Sequence, residues 1–282
     1  MMNFSDFNHD LNAAKEALFT CCGSNNWVNK VINSGKINSE QELVECCTDV
    51  WYKQCDKNDY LESFTHHPEI GDFNSLNEKF AGKEQVGISS AIKETIEQLA
   101  QANTDYKTKN GFIFIVCATG KSAAEMLQLL KNRLQNNMEE EIAVAMGEQM
   151  KITIIRLQKL FTGSDWKFLK VSQLTTHILD TTIGKPAKDI RIKLQHFGQN
   201  QWITITEGIT NGDGRIADLL APNRILPPSN YKLVFDTEGY FKSQNLNGFY
   251  PQVDIHFTIS DSSHYHVPLL INPYGYSTYR GS

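Results

Sequence analysis

The chain has 282 residues and a mass of 32.0 kDa, which corresponds to about two domains at ~150 residues each. Hydrophobic residues make up 40% and charged residues 21%, and the mean hydropathy is −0.38, which excludes disordered, collagen-like and membrane-protein compositions. Lys and Arg number 27 against 32 Asp and Glu, a formal net charge of −5 without a dense basic run, so a nucleic-acid partner is not expected.

Targeting signals and cysteines indicate the compartment. Residues 1–7 do not combine a basic segment with an apolar run, and about 20 consecutive apolar residues occur nowhere, so we expect neither secretion nor a membrane partner. The six cysteines have no C-x-x-C spacing, and we predict buried free thiols, as in a reducing cytosol. They are Cys21, Cys22, Cys46, Cys47, Cys55 and Cys117.

The first half of the sequence has the periodicity of α-helices. Ser39 with Glu42, and Ser122 with Glu125, have the spacing of capping boxes, and each pair opens a segment whose apolar residues recur every three or four positions. The apolar run 112–116 fits either a strand or a buried extended segment. Two core-facing stripes are predicted: Met126, Leu127, Leu130 and Leu134, and then Ile142, Met146, Met150, Leu157 and Phe161.

The pattern changes after Phe161, where Thr162-Gly163-Ser164-Asp165 interrupts the helical period. Apolar residues then alternate with polar ones, as in 190–195 and 253–259, which is typical of strands with one buried face. Further strands are predicted at 174–179, 202–206, 231–236 and 266–271. We therefore expect a multidomain α + β chain: an all-α domain at 1–162, a linker at 163–172 and an antiparallel β-sandwich at 173–282.

His264-Tyr265-His266 lies near the end of the sequence. Residues two apart on a strand share a face, so the two imidazoles are expected side by side. From spacing alone they form an exposed polar face, half of a metal site that needs a third ligand, or a catalytic pair. Of these, the spacing alone favours the exposed polar face, then the metal site.

Four motifs in the second half carry a resemblance to a known family. They are Leu174-Thr175-Thr176-His177-Ile178-Leu179-Asp180, Asp213-Gly214-Arg215, His264-Tyr265-His266-Val267-Pro268-Leu269-Leu270 and Tyr279-Arg280-Gly281-Ser282. Together they resemble 5-hydroxyisourate hydrolase, the transthyretin-like enzyme of urate degradation. The resemblance implies a transthyretin-like sandwich without a cofactor or metal, assembled as a homotetramer with active sites in a channel between subunits.

The same resemblance implies roles for individual residues. His177 and His266 are expected to activate water and transfer protons, since imidazoles titrate near neutrality, and His264 is expected to orient them. Arg215 offers paired donors to the oxygens of the substrate. Tyr279 and Ser282 are expected to complete the pocket.

The first half resembles a second family over about residues 4–161. The motifs are Leu18-Phe19, Cys21-Cys22-Gly23-Ser24, Trp27, the segment 64–71, Glu84-Gln85, the segment 116–122 and Gly147-Glu148-Gln149-Met150-Lys151-Ile152-Thr153 with Arg156-Leu157. They resemble the decarboxylases of 2-oxo-4-hydroxy-4-carboxy-5-ureidoimidazoline (OHCU), the product of the hydrolase reaction. An all-helical, cofactor-free fold that dimerises is implied.

From this resemblance His67 is the expected catalytic histidine, Glu84 its partner acid, and Arg156 a cation for the substrate carboxylate or ureido group. Loss of carbon dioxide leaves an enolate-like charge, so an acid placed on one face of the ring must protonate that carbon. A pocket lined by Pro68, Gln85, Ile115 and Val116 is implied.

Because one reaction makes the substrate of the other, the sequence predicts a bifunctional enzyme of purine catabolism that produces (S)-allantoin. Its last three residues, Arg280-Gly281-Ser282, are not a Ser-Lys-Leu signal, so a cytoplasmic location is expected. Ala81 stands where the OHCU decarboxylases usually have Ser or Thr. A first alternative is therefore that only the hydrolase is active and that the helical half serves only in assembly. A transthyretin-like ligand-binding protein is the second alternative.

Overall fold

In a computed structural model, the described residues are 4–67, 90–119, 121–161, 166, 172–198, 200–216 and 218–281. The chain divides into two compact units, Met1–Asp165 and Trp166–Ser282. The first is built from helices and the second mainly from strands. Among the described residues, no helix combines the length and the apolar character needed to cross a membrane.

The first unit contains seven described α-helices after a short 3-10 turn at Phe4–Asp6. They are α1 (Leu11–Cys22), α2 (Asn25–Ile32), α3 (Glu40–Lys53), α4 (Lys57–Thr65), α5 (Ser90–Asn110), α6 (Ala123–Arg133) and α7 (Met138–Leu160). All but α5 begin after a Ser, Asp or Asn whose side chain accepts a hydrogen bond from a main-chain amide of the first turn. Local capping therefore sets where these helices start.

The two capping-box predictions have different outcomes. Ser122 and Glu125 form the full reciprocal box at the start of α6. At α3 only half of it forms: Ser39 accepts from the amide of Glu42, but the Glu42 carboxylate accepts from the amide of Asn38, at 2.7 Å. The start of α3 is predicted correctly, and its second hydrogen bond is displaced by one residue.

The helical core follows the predicted stripes only in part. Met126, Leu127 and Leu130 are buried on α6, whereas Ile142 and Met146 are only half-buried on α7. Buried positions of α7 are taken instead by polar side chains: Glu141, Glu148, Gln149 and Lys151. These groups have partners inside the unit, so a hydropathy pattern alone cannot place them there.

The apolar run 112–116 forms a buried extended segment without strand pairing. Of the two structures that the sequence left open, this is the second. All six cysteines are free thiols; four are buried, and Cys46 and Cys55 are half-buried. Burial raises the pKa of Cys21 to about 12, and the opposing effect of Arg156 is smaller.

The second unit contains two sheets. Its strands are β1 (Leu174–Asp180), β2 (Lys185–Pro186), β3 (Arg191–Gly198), β4 (Gln201–Ile209), β5 (Arg215–Ile216), β6 (Ser229–Phe235), β7 (Val253–Ile259), β8 (Tyr265–His266), β9 (Leu269–Asn272) and β10 (Gly275–Thr278). One sheet has the order β10-β9-β1-β2, with β5 and β8 also paired to β1, and the other has the order β4-β3-β6-β7. Neighbours are antiparallel except that β1 runs parallel to β8 and β9.

Alternating side chains of both sheets form one hydrophobic core. The side chains of β1 alternate between buried and half-buried, so Thr175 and His177 share the face that points away from that core. The predicted strand 266–271 is divided into β8 and β9 at Val267-Pro268, since Pro268 has no amide to donate to a ladder.

The second unit contains elements that the sequence did not predict: the strands β2, β5 and β10, and one helix. Helix α8 (Thr237–Ser243) follows β6, and Asp236 caps it by accepting from the amide of Gly239 at 3.0 Å. Two turns are too short to show a helical period in the sequence, and its buried Tyr240 and Phe241 are adjacent.

Candidate active sites

The first site is built on α7, which brings two polar side chains to His67. His67 follows the C-terminal end of α4, and its Nε2 lies 2.5 Å from Oε1 of Gln149. Arg156 lies seven residues after Gln149, two turns along the same face of α7. Its guanidinium donates to the carbonyl of Cys21 at 3.1 Å, and its charge acts on His67.

The amide of Gln149 has a fixed orientation. Its Nε2 donates to the carbonyl of Cys22 at 3.3 Å and lies 3.2 Å from the Thr153 hydroxyl, so Oε1 is the atom that faces His67. An amide oxygen can only accept, and His67 must therefore donate from Nε2. In the neutral imidazole, Nδ1 then carries the lone pair.

His67 is neutral at pH 7. Burial, followed by the charge of Arg156, lowers its pKa to about 4, and the hydrogen bond to Gln149 opposes this only partly. The site therefore holds an uncharged imidazole next to a fixed cation. Such a pair can bind a carboxylate through the cation and exchange a proton through the ring.

Two buried charged side chains, Arg133 and Glu148, hydrogen-bond to the main chain of the segment that contains Ile115 and Val116. Arg133 donates to the carbonyl of Ile115 at 2.5 Å, and Glu148 accepts from the amide of Cys117 at 2.7 Å. Arg133 is paired with Glu141, and Glu148 with Lys151. Because Glu148 precedes Gln149 on α7, this helix fixes both the segment and His67.

Three expected residues of this site, Pro68, Glu84 and Gln85, lie outside the described residues, as does Ala81. The structure adds Gln149 and Glu148, which in the sequence are only two positions of the motif 147–153. His66, next to His67, stacks edge-on against Phe19 with ring centroids 4.8 Å apart.

The second site begins with a cross-strand pair. His177 on β1 lies opposite Arg215 on β5 in antiparallel register. The turn before Arg215 is closed by Asn211, whose Oδ1 accepts from the amides of Asp213 and Arg215, each at 3.0 Å. At Gly214 φ is +67°, and a Cβ there would lie 2.4 Å from the carbonyl oxygen of Ile178, so only glycine fits.

His266 joins this pair from β8. Burial lowers its pKa, and the nearby charge of Arg215 lowers it further. The pKa of His177 is lowered by the same two causes in the same order. One guanidinium therefore acts on both imidazoles, and both are favoured in the neutral form that accepts a proton from water.

A hydroxyl links the two histidines of the His-x-His motif. Oγ1 of Thr175 lies 3.0 Å from Nε2 of His264 and 2.9 Å from Nδ1 of His266. His264 itself is exposed, and His266 is half-buried. Thr175 stands in the same sequence motif as His177, and nothing in the sequence distinguishes it from its neighbours there.

The C-terminal segment pairs with the main chain of His266. The amide of Gly281 donates to the carbonyl of His266 at 2.9 Å, and the Arg280 guanidinium lies over the Tyr265 ring, 5.5 Å from its centroid. Tyr279 is 59% exposed, and Ser282 lies outside the described residues. Among the residues that are described, no three His, Cys, Asp or Glu side chains are placed to hold a metal ion.

Two family models match the chain. The OHCU decarboxylase model matches residues 8–158, and the HIUase/transthyretin model matches residues 174–281. The first covers more than half of the chain and contains His67, Gln149 and Arg156. The second contains the pair of His177 and Arg215.

Curated relatives and a solved structure are similar to the chain. The uric acid degradation bifunctional protein TTL of Arabidopsis thaliana is 34% identical, over 93% of this chain and 96% of its own length. The 5-hydroxyisourate hydrolase of Mus musculus is 46% identical over 39% of this chain and 96% of its own. The crystal structure of an (S)-allantoin synthase covers both chains in full, at 25% identity and a TM-score of 0.46.

Proposed function

The chain belongs to the family of bifunctional proteins of uric acid degradation, and we propose that it converts 5-hydroxyisourate through OHCU to (S)-allantoin. Its first half is the OHCU decarboxylase, and its second half is the transthyretin-type 5-hydroxyisourate hydrolase. The observation that carries this function is the presence, in each matched half, of a neutral histidine beside an arginine. Both reactions need a proton carrier and a cation for developing negative charge.

In the hydrolase, Arg215 binds the oxygens of the substrate while His177 and His266 serve the attacking water. The burial and cation that lower both histidine pKa values support this role, because a neutral imidazole is the form that takes a proton. His264 acts on His266 through Thr175, and Tyr279 and Ser282 complete the pocket.

In the decarboxylase, Arg156 holds the substrate carboxylate or ureido group. His67, held by Gln149, takes part in proton transfer to the carbon that loses carbon dioxide, with Glu84 as the partner acid. Pro68, Gln85, Ile115 and Val116 line the pocket. No step in either reaction requires a cofactor or a metal.

The proposal includes the organisation of the chain. The decarboxylase occupies residues 1–162, a linker 163–172, and the hydrolase 173–282. The hydrolase forms a homotetramer and the decarboxylase adds dimer contacts, in the cytoplasm. The chain's substrates are the small molecules of the two matched families, and the net charge of −5 and the composition argue against nucleic acid and membrane partners.

A coupled assay tests the function. Urate oxidase generates 5-hydroxyisourate from urate, the protein is added, and absorbance and circular dichroism follow both intermediates and chiral allantoin. Rapid loss of both intermediates with an (S)-allantoin signal is expected.

Two variants separate the reactions: His67→Ala should stop decarboxylation only, and Arg215→Ala hydrolysis only. Persistence of OHCU with the unaltered protein would instead indicate that only the hydrolase works. If neither reaction is accelerated, the remaining role is ligand binding.

A further inference from the structure

The hydroxyl of Thr175 can donate only one proton, and two imidazoles compete for it. It lies between Nε2 of His264 and Nδ1 of His266, at 3.0 and 2.9 Å. A hydroxyl has one donor and two acceptor sites, so it donates to one ring and accepts from the other. The direction of this chain of hydrogen bonds decides which nitrogen of His266 is free to act as a base.

The other nitrogen of His264 sets the direction. Nδ1 of His264 lies 3.1 Å from the carbonyl oxygen of Ser172. Because a carbonyl only accepts, Nδ1 carries the proton, and Nε2 of the neutral ring carries the lone pair. The Thr175 hydroxyl therefore donates to His264.

With its proton directed to His264, the Thr175 oxygen faces His266 as an acceptor. His266 must then carry its proton on Nδ1. The contact between Thr175 Oγ1 and Nδ1 of His266, at 2.9 Å, therefore favours the tautomer whose Nε2 is unprotonated.

We propose that Thr175 is a positioning residue of the hydrolase, which with His264 and the Ser172 carbonyl fixes His266 in the Nδ1–H tautomer and leaves Nε2 as the base. This inference rests on the proposed hydrolase function. Nε2 takes one proton from water as the water oxygen bonds to the acyl carbon of the ring. The same proton passes to the ring nitrogen of the substrate as its C–N bond breaks, so the imidazole ends neutral.

The relay predicts a graded response at position 175. Thr175→Ser retains the hydroxyl and should keep hydrolase kcat within about threefold of the wild type. Thr175→Val keeps the shape but removes the hydroxyl that links the two histidines, and it should lower kcat about 10–100-fold. This loss is smaller than the ~10⁴-fold that follows when a wrong tautomer is imposed on a catalytic histidine. Thr176→Val is the matched control, because the Thr176 hydroxyl points to the opposite face and donates to the carbonyl of Val267. OHCU decarboxylation in the same chain reports on folding and concentration.

Neutron diffraction from the full chain near neutral pH tests the assignment without relying on activity. Deuterium is expected on Nδ1 of both His264 and His266, on the Thr175 hydroxyl towards His264, and not on Nε2 of His266. Deuterium on Nε2 of His266 instead, or full hydrolase activity in Thr175→Val, would overturn the inference. The expected deuterium pattern in a protein that does not hydrolyse 5-hydroxyisourate would overturn the proposed function and, with it, this use of the relay.

Discussion

Gly281 packs so closely on His266 that a side chain at position 281 would displace the imidazole. An ideal Cβ on Gly281 would lie 2.3 Å from Cδ2 and 3.0 Å from Cγ of His266. The main chain is also fixed there, since the Gly281 amide donates to the His266 carbonyl. Glycine in the C-terminal Tyr-Arg-Gly-Ser motif thus lets the main chain pack directly against the His266 side chain.

Gly281→Ala should therefore impair hydrolysis selectively. The ring or the C-terminal segment must move, and a displacement of about 1 Å at a reacting group costs on the order of 100-fold in rate. Steady-state kinetics should show a loss of about tenfold or more in hydrolase kcat, with decarboxylation unchanged. Gly275→Ala is the control, because a Cβ there meets only the Asn272 side chain at an ordinary 3.5 Å. Equal hydrolase rates in the two variants would contradict the prediction.

The pH dependence of decarboxylation should reflect the buried state of His67. Its pKa of about 4 lies below the ordinary 6.5, so the neutral form persists as the pH falls and is lost only near pH 4. Between pH 6.5 and 4 the unfolded chain takes up a proton that the folded site refuses, so His67 lowers stability towards acid.

We expect the acidic limb of kcat/KM for OHCU decarboxylation to lie near pH 4. Single-turnover measurements from pH 3.5 to 8 test this, and urea unfolding at each pH checks that the protein remains folded. Arg156→Gln should move this limb upward, because the cation of Arg156 is the second cause of the lowered pKa. A wild-type limb near 6.5 would indicate that His67 is not the group that titrates.

Local patterns predict some features of this structure and miss others for identifiable reasons. Period-two alternation locates β3 and β7, and the Ser122–Glu125 spacing locates the start of α6, because both depend on neighbouring residues. Buried Arg133 and Glu141 were not predicted, since their burial depends on pairing between α6 and α7.

In the candidate sites, too, the sequence motifs predict some residues, and others are identified only by contacts between distant segments. Motif resemblance brings attention to His177, Arg215 and His266, which the fold places together from three strands. It does not distinguish Gln149 or Thr175 from their neighbours in the motifs. Their hydrogen bonds to a histidine appear only when distant segments meet in the folded chain.

Gln149 should control both the tautomer and the pKa of His67. Gln149→Leu removes the acceptor for Nε2–H, so the imidazole of His67 is no longer held in place. Decarboxylase kcat should fall about 10–100-fold, the loss seen when the hydrogen-bond partner of a metal-bound histidine is removed. Gln149→Glu places a carboxylate against the imidazole, which raises the pKa of His67 and should move the acidic limb to higher pH.

Decarboxylation profiles of the two Gln149 variants, with hydrolysis as the internal reference, measure these effects. Gln128→Leu, at an exposed position on α6, is the control for loss of a glutamine side chain from a helix. Identical acidic limbs in the wild type and Gln149→Glu would show that the 2.5 Å contact does not govern proton transfer.

Removing only one charge of the buried Glu148–Lys151 ion pair should destabilise the protein more than removing both charges. Burial alone would raise the pKa of Glu148, but the Lys151 ammonium at 2.6 Å and the amide of Cys117 outweigh it and hold that pKa below its usual value. Glu148→Gln removes the carboxylate that lies 2.6 Å from the buried Lys151 ammonium, and breaking a buried pair in this way should lower the free energy of unfolding by about 3–5 kcal/mol.

The double variant Glu148→Gln/Lys151→Met tests whether the broken ion pair causes that loss. It removes both charges and should recover most of the stability, because well-packed apolar groups replace buried ion pairs at little cost. It should not recover decarboxylation fully, since a neutral amide holds the Cys117 amide less strongly than a carboxylate does. Urea unfolding, with decarboxylase and hydrolase activities as separate reporters, measures both effects. A double variant no more stable than Glu148→Gln would show that the loss comes from the displaced segment 112–117 and not from the broken pair with Lys151.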